Sequence, residues 1–394
     1  MPRVLLLALL ALVACDSSVV TEPPPDRPTA TLRALEGQAH FGPGATFGLA
    51  LSAEGPVGGF DSQRQRTLAP FASGLWLGTD ASGPAEASVI WLGAYPYGNY
   101  AADRLFALDA DTLYTDIGAW PTDQGAPVDA DGNPLVYGDQ MLWASFGPQR
   151  GSDIAAYAAP VEGLRVNAAV FGYNDMPGVR YVRYEVANIG SAPIAGLRAG
   201  YYSDTDSSAP ISDAVAFDAD AGLSYVYNLR QSDTGAYVET GASGFAFLQT
   251  PGGAALRAHR IMRKNNYVDP AFGETGVDGP VPFLRALDGL SNAGDPMIDP
   301  TTGAATRFAF TGDPFAGTGW RDGLADDGSY RGIDIRHLTS VDPITLAPGE
   351  TAVATLVWVT ADAGAPRDSY GEIRTLLDIV RATPARWAFP IASR

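Results

Sequence analysis

The chain is poor in the residues that most often carry covalent or metal chemistry. Among 394 residues there is one cysteine, Cys15, and there are three histidines, His40, His259 and His337. A lone cysteine cannot close an intramolecular disulfide, so disulfide stapling plays no part in this fold. Three scattered histidines with no further thiol argue against zinc. No G-x-S-x-G elbow and no Gly-rich phosphate loop occurs, which weighs against serine-hydrolase chemistry and nucleotide use. Lysine is nearly absent: Lys264 stands alone, and arginine supplies the remaining positive charge. With a formal net charge of -18, the exterior disfavours nucleic-acid phosphate as a partner. A solvated acidic surface and adaptation to high salt both account for that balance.

The amino terminus carries a recognisable pattern. Arg3 precedes an apolar run from Val4 to Ala14. That run is shorter than the roughly 20 residues a membrane-spanning helix needs, and a cationic residue before it is the layout of a secretory signal. It ends in Leu12-Val13-Ala14-Cys15, which resembles the lipobox of bacterial lipoproteins. The resemblance implies that residues 1–14 are a signal peptide and that Cys15 is lipidated on its thiol. A diacylglycerol brings two acyl chains, enough for stable attachment to a membrane. Residues 15–33 then form a tether: Pro23-Pro24-Pro25 favours extended polyproline geometry and supports neither helix nor sheet ladder. The expected location is therefore the cell envelope, on the inner or outer membrane.

Beyond the tether, short apolar runs bounded by turn residues recur. They are Ala72–Leu77, Ala87–Leu92, Val166–Phe171, Tyr181–Val186, Leu197–Tyr202, Leu223–Tyr227, Gly244–Leu248, Thr306–Phe310 and Ala352–Val359. Such a series predicts an all-β protein, a β-sandwich of immunoglobulin-like or larger supersandwich type. Tyr181–Asn188 and Ile194–Tyr202, joined by Ile189–Pro193, read as a hairpin. Pro348-Gly349 makes a turn into Thr351–Val359, whose nearly continuous apolarity suits a central strand. These two signatures resemble those of bacterial immunoglobulin-like domains. One short C-terminal helix is expected, capped by Asp368 or Ser369, with Tyr370, Ile373, Leu376, Leu377 and Val380 on one face and Pro384 as its stop. The division expected is an aromatic-rich N-terminal β region over 34–160 and a sandwich region over 161–394.

Several blocks keep a common order along the chain. They are Ser73-Gly-Leu-Trp-Leu-Gly78, Trp120-Pro-Thr-Asp-Gln-Gly-Ala-Pro127, Gly138-Asp-Gln-Met-Leu-Trp143, Tyr184-Glu-Val-Ala-Asn188, Ser203-Asp-Thr-Asp206, Leu223-Ser-Tyr-Val-Tyr-Asn228, Phe310-Thr-Gly-Asp-Pro314 and Leu346-Ala-Pro-Gly349. In that order they resemble a family of uncharacterised exported β-rich proteins of Bacteroidetes-type bacteria. Many members carry a C-terminal type IX secretion sorting domain; here a lipid anchor is expected in its place. The resemblance implies export and a β-rich fold, and brings no reaction.

The densest carboxylate cluster is Asp204-Thr-Asp206 followed by Asp213 and Asp218. Calcium takes six to eight oxygen ligands, and alternate Asp residues after a strand can converge on one ion. Asp204, Asp206, Asp213 and Asp218 are therefore candidate calcium ligands, with solvated loop acids as the other reading. Asp129-Ala-Asp131-Gly132-Asn133 reads better as a turn. A glycosidase would need two carboxylates facing across a sugar, and the aromatics Trp76, Trp91, Trp120 and Trp143 could stack on one. No catalytic residue can be named. The functional expectation is a membrane-anchored, non-enzymatic binding or envelope-assembly module with a glycan or protein partner. The alternative is a carbohydrate-active enzyme on the same scaffold.

Overall fold

A computed structural model describes residues 33–35, 38–39, 51–52, 70–93 except 82, 100–102, 105–109, 120–148, 159–229 except 177 and 206–212, 240–263, 280–322 and 335–391. Cys15 and the tether lie outside them. The described chain is an antiparallel β-sandwich, as the alternating apolar runs predict.

The large sheet has ten strands. Along it lie β1 (Arg33–Leu35), β7 (Leu105–Asp109), β8 (Gln140–Pro148), β9 (Leu164–Gly172), β10 (Val179–Asn188), β19 (Thr351–Ala361), β14 (Ala242–Gln249), β13 (Leu223–Tyr227) and β12 (Ala214–Asp218), with β6 (Tyr100–Ala102) also paired to β8. The smaller sheet has five strands, β15 (Leu256–Arg263), β18 (Ile335–Leu346), β11 (Ile194–Thr205), β4 (Pro70–Thr79) and β5 (Glu86–Gly93). Two minor pairs, β2 (Gln38–Ala39) with β3 (Leu51–Ser52) and β16 (Met297–Ile298) with β17 (Ala305–Thr306), complete the strands. The division expected at residue 160 falls between β8 and β9, adjacent strands of one sheet. Meanwhile β4 and β5 belong to the smaller sheet, so the N-terminal strands complete the sandwich.

Three local expectations are corrected. The Tyr181–Tyr202 hairpin does not form, because β10 pairs with β9 and β19 while β11 pairs with β18 and β4. The loop 189–193 instead carries the chain from one sheet to the other. The segment after β18 does the same, and the two crossings are stitched together. Asn188 Nδ2 donates to Ala192 O and Leu346 O, at 2.8 and 3.0 Å. The N–H of Gly349, at φ +79°, donates to Asn188 O. Second, Thr306–Phe310 is not a strand beyond Ala305–Thr306; Phe310 sits at φ +54°, outside extended geometry. Third, the C-terminal helix α2 (Pro366–Arg381) begins before Asp368. Proline is suited to the first turn, where its missing N–H has no helical partner to lose. Ser369 Oγ caps no helix N–H; it donates to Thr240 O and accepts from Ala363 N. A helix not foreseen, α1 (Pro280–Leu287), covers the outer face of the smaller sheet.

Both faces of the large sheet are buried. Inward, Trp358 Nε1 donates to Tyr201 Oη at 3.0 Å, and that hydroxyl donates to Ser73 Oγ at 2.8 Å, tying β19 to β11 and β4. Outward, α2 lays Ile373, Leu377 and Val380, all buried, across β19 and β14.

Between the sheets runs a second polar chain. His259 Nδ1 lies 3.0 Å from Ala309 O; a carbonyl only accepts, so that nitrogen carries the proton. His259 Nε2 must then accept from Ser224 Oγ at 2.8 Å, and the same hydroxyl accepts from His337 Nδ1 at 2.5 Å. His337 Nε2 accepts from Thr205 Oγ1 at 3.0 Å, which in turn accepts from Ser203 Oγ at 2.7 Å. Each group donates once only while both imidazoles are neutral. Burial keeps them so, pushing His259 down to about 4 and His337 well below its ordinary value, the latter aided by repulsion from His259.

The unfolded chain binds these protons near pH 6.5 and the folded chain does not, so stability is lost as pH falls below 6.5. For His259 alone the loss on reaching pH 4 is about 3 kcal/mol. Urea melts are expected to show a midpoint that declines between pH 6.5 and 4.5, and His259→Gln to flatten that decline. A wild-type midpoint constant over this range would mean that the imidazoles are hydrated.

Candidate functional site

The most distinctive polar cluster lies on the outer face of the large sheet, where β8, β9 and β10 run side by side. Register places Arg183 beside Ala169 and Ala169 beside Trp143 in one row. In the next row Glu185 lies beside Asn167. Alternating polar residues at positions 183 and 185 suit a solvent-facing strand, yet Arg183 is 1% exposed. The segment 120–139 folds over them, braced internally by Trp120 Nε1 donating to Pro127 O at 2.8 Å and held to β9 by Asp139 N–H donating to Gly172 O at 2.9 Å. A glycine at 138, φ +72°, packs this segment against Gly172, where a Cβ would meet Gly172 O at 2.5 Å.

Arg183 Nε and Nη2 both donate to Glu185 Oε1, at 3.1 and 2.9 Å. Nη2 also reaches Pro390 O at 3.3 Å, and the guanidinium lies 5.9 Å from the centre of the Tyr137 ring. Asn167 Nδ2 donates to Gln124 O at 2.9 Å, which fixes the orientation of its amide. Two buried atoms are left over: Arg183 Nη1, a donor, and Asn167 Oδ1, an acceptor, make no hydrogen bond. Both residues border one cavity, walled also by Pro127, Tyr137, Trp143 and Glu185. With about 10 Å³ open to a water's centre, it holds about one water or one hydroxyl. Burial, with Glu185 close by, pushes the Tyr137 hydroxyl up to about 12, so it stays protonated as a further donor. A hydroxyl group suits the cavity because it accepts from Arg183 and donates to Asn167 at once.

The carboxylates expected to share calcium are dispersed. Asp204, buried at the end of β11, is paired across register with Arg336 at 3.0 Å. Asp218 closes β12 in the other sheet, where Tyr370 Oη donates to it at 2.8 Å and Arg374 Nε lies 3.0 Å away. Asp213 is buried just before β12, and Asp206 lies outside the described residues. Among the described residues no three His, Cys, Asp or Glu side chains are grouped to hold a metal ion. Asp129 forms a turn: its Oδ1 accepts from the N–H groups of Asp131 and Asn133, and these bonds, Asn133 first, hold its carboxyl below the usual range. The tryptophans considered for sugar stacking are core residues. Trp76 lies between Tyr202 and Phe283 at 4.9 and 4.4 Å, and Trp120 meets Trp143 at 5.2 Å. The side chain of Trp91 lies outside the described set.

No family model and no curated protein matches the chain. Solved structures do. One is a putative aldose 1-epimerase from Escherichia coli K12, 12% identical with a TM-score of 0.28, covering 84% of this chain and 99% of that one. Others are a polysaccharide lyase, at 8% identity, TM-score 0.29 and coverage of 87% and 33%, and a family GH92 alpha-mannosidase from Bacteroides thetaiotaomicron, at 10%, 0.28, 88% and 34%. The chain thus spans about a third of the length of the last two. Likenesses this distant carry no argument about activity.

Removing Arg183 leaves Glu185, whose side chain is only 12% exposed, without its cation. Breaking such a pair costs about 3–5 kcal/mol, whereas replacing both partners by apolar groups is far milder. Arg183→Met is expected to lower the urea midpoint sharply, and Arg183→Met with Glu185→Leu to recover most of it. Equal loss in both variants would mean that packing, not charge, holds this face together.

Proposed function

We propose that the protein is an extracytoplasmic lipoprotein, anchored through Cys15, that binds a glycan or protein partner without transforming it. The observation that carries the binding reading is the pair left over in one cavity, Arg183 Nη1 and Asn167 Oδ1. A buried donor and acceptor without partners cost free energy that a ligand hydroxyl returns. The anchor reading rests on the lipobox pattern at Leu12–Cys15 and on the resemblance to exported β-rich proteins. The Pro-rich segment after Cys15 would hold the sandwich away from the bilayer.

A sugar hydroxyl fits the same cavity, and this favours carbohydrate chemistry as the second reading. An enzyme of that kind needs a second carboxylate facing Glu185, which is itself engaged by Arg183. Binding asks for no such partner.

In a bacterial host fed labelled palmitate, the wild-type chain is expected to take up label and partition with membranes. Cys15→Ser is expected to lose the label and move to the soluble fraction. A wild-type chain released without label would sink the anchor. For the site, thermal melts of the Cys15→Ser chain against mono- and oligosaccharides are expected to show stabilisation that Asn167→Leu removes. Turnover of any sugar would replace the binding reading by the enzymatic one.

A further inference from the structure

The segment that follows α2 crosses the same face of the large sheet. After a 3-10 turn at Pro384–Arg386 the chain continues to Ile391 with neither helix nor strand. It is held first at Arg386, which lies 4.6 Å over the Tyr173 ring and pairs with Asp175 through two bonds of 2.8 and 2.6 Å. Trp387 Nε1 donates to Val380 O at 3.0 Å. Then Phe389 stacks on Tyr137 with ring centres 4.2 Å apart and 13° between planes, and meets Phe171 edge-on at 5.7 Å. Pro390 gives its carbonyl to Arg183. The strap therefore uses Tyr137 and Arg183, two walls of the cavity described above.

We propose that this strap is a built-in competitor: Ala388–Ile391 occupies an aromatic slot that takes a Phe-Pro peptide segment of a partner protein. The inference rests on the binding reading of the Arg183 site and names its partner class. Three features fit a segment made to leave. Its chemistry is that of a short peptide ligand, one ring and one acceptor. Proline has no N–H with which to join the body. Its hinge, Arg386–Asp175, lies at the surface, with Arg386 32% and Asp175 62% exposed, where solvent and salt screen the pair. When the strap lifts, Tyr137, Phe171 and Arg183 are uncovered together. A tethered competitor acts at an effective concentration on the order of mM, which sets the level a free peptide must exceed.

The test uses the full chain carrying Cys15→Ser, which leaves no other thiol, with a spin label at Ile391→Cys, a position 44% exposed. The probe is the acetylated, amidated peptide Ala-Phe-Pro-Ile. Millimolar probe is expected to mobilise the label, while Ala-Ala-Pro-Ile does not. Without the label, Phe389→Ala is expected to bind the probe at least tenfold more tightly than the parent. Asp175→Asn, which frees the hinge and leaves the core untouched, is expected to shift affinity in the same direction and guards against a Phe389→Ala chain that fails to fold. A label that stays immobile at every probe concentration, with unchanged affinity in Asp175→Asn, overturns the proposal. That outcome leaves the Asn167-dependent sugar melts standing, so failure of the strap and failure of the binding site are told apart.

Discussion

Ten strands in one sheet expose two broad faces, and neither can be left in water when apolar and aromatic side chains of β9, β10 and β19 stand on both. Covering both faces is the constraint from which the rest of the architecture follows. The smaller sheet covers one. The other is covered piecemeal, by α2, by the segment 120–139 and by the chain running from Arg386 to Ile391. Burial of aliphatic and aromatic area on both sides supplies the dominant favourable term for such a fold.

Piecemeal cover has a chemical consequence. Where a second sheet packs on the first, polar groups join across the interface, as in the Trp358–Tyr201–Ser73 chain and the Ser224 hydroxyl shared by two imidazoles. Where loops do the covering, strand positions of solvent-facing type become enclosed with their polar side chains still present. Arg183, Glu185 and Asn167 are such residues. The ion pair and the amide find most of their partners in the covering loops, and the remainder is a cavity of one-hydroxyl size with a donor on one side and an acceptor on the other. The site is a product of incomplete cover, and the strap is part of that cover.

The buried histidines show the same principle in a tighter setting. Neither His259 nor His337 carries any local sequence mark of its role. His259 stands in an Arg-rich stretch, and its neighbours Ala258 and Arg260 are buried as it is. The ring itself turns inward, stacks on Phe217 at 4.7 Å, and joins a hydrogen-bond chain built from β11, β13 and β18. Four strands distant in sequence have to meet before that chain exists.

Much of the fold was legible because its signal is local. Alternation and turn residues mark eight of the runs that become strands, the C-terminal helix shows a 3.6-residue period, and Pro348-Gly349 marks a crossing. Partnership was not legible: residues 179–205 look like a hairpin because a strand buried on both faces no longer says which sheet it joins. The site was invisible for a related reason. Arg183 and Glu185 are spaced as any exposed strand pair, and their enclosure comes from residues some fifty positions earlier and two hundred later. The candidate calcium carboxylates illustrate the converse: Asp204 and Asp218 are close in sequence yet lie in different sheets, each beside an arginine. By itself, then, the sequence determined the class of fold, written in neighbouring residues. Which polar side chains are buried together, and hence where chemistry can occur, only tertiary packing decided, because burial depends on what the rest of the chain lays on top.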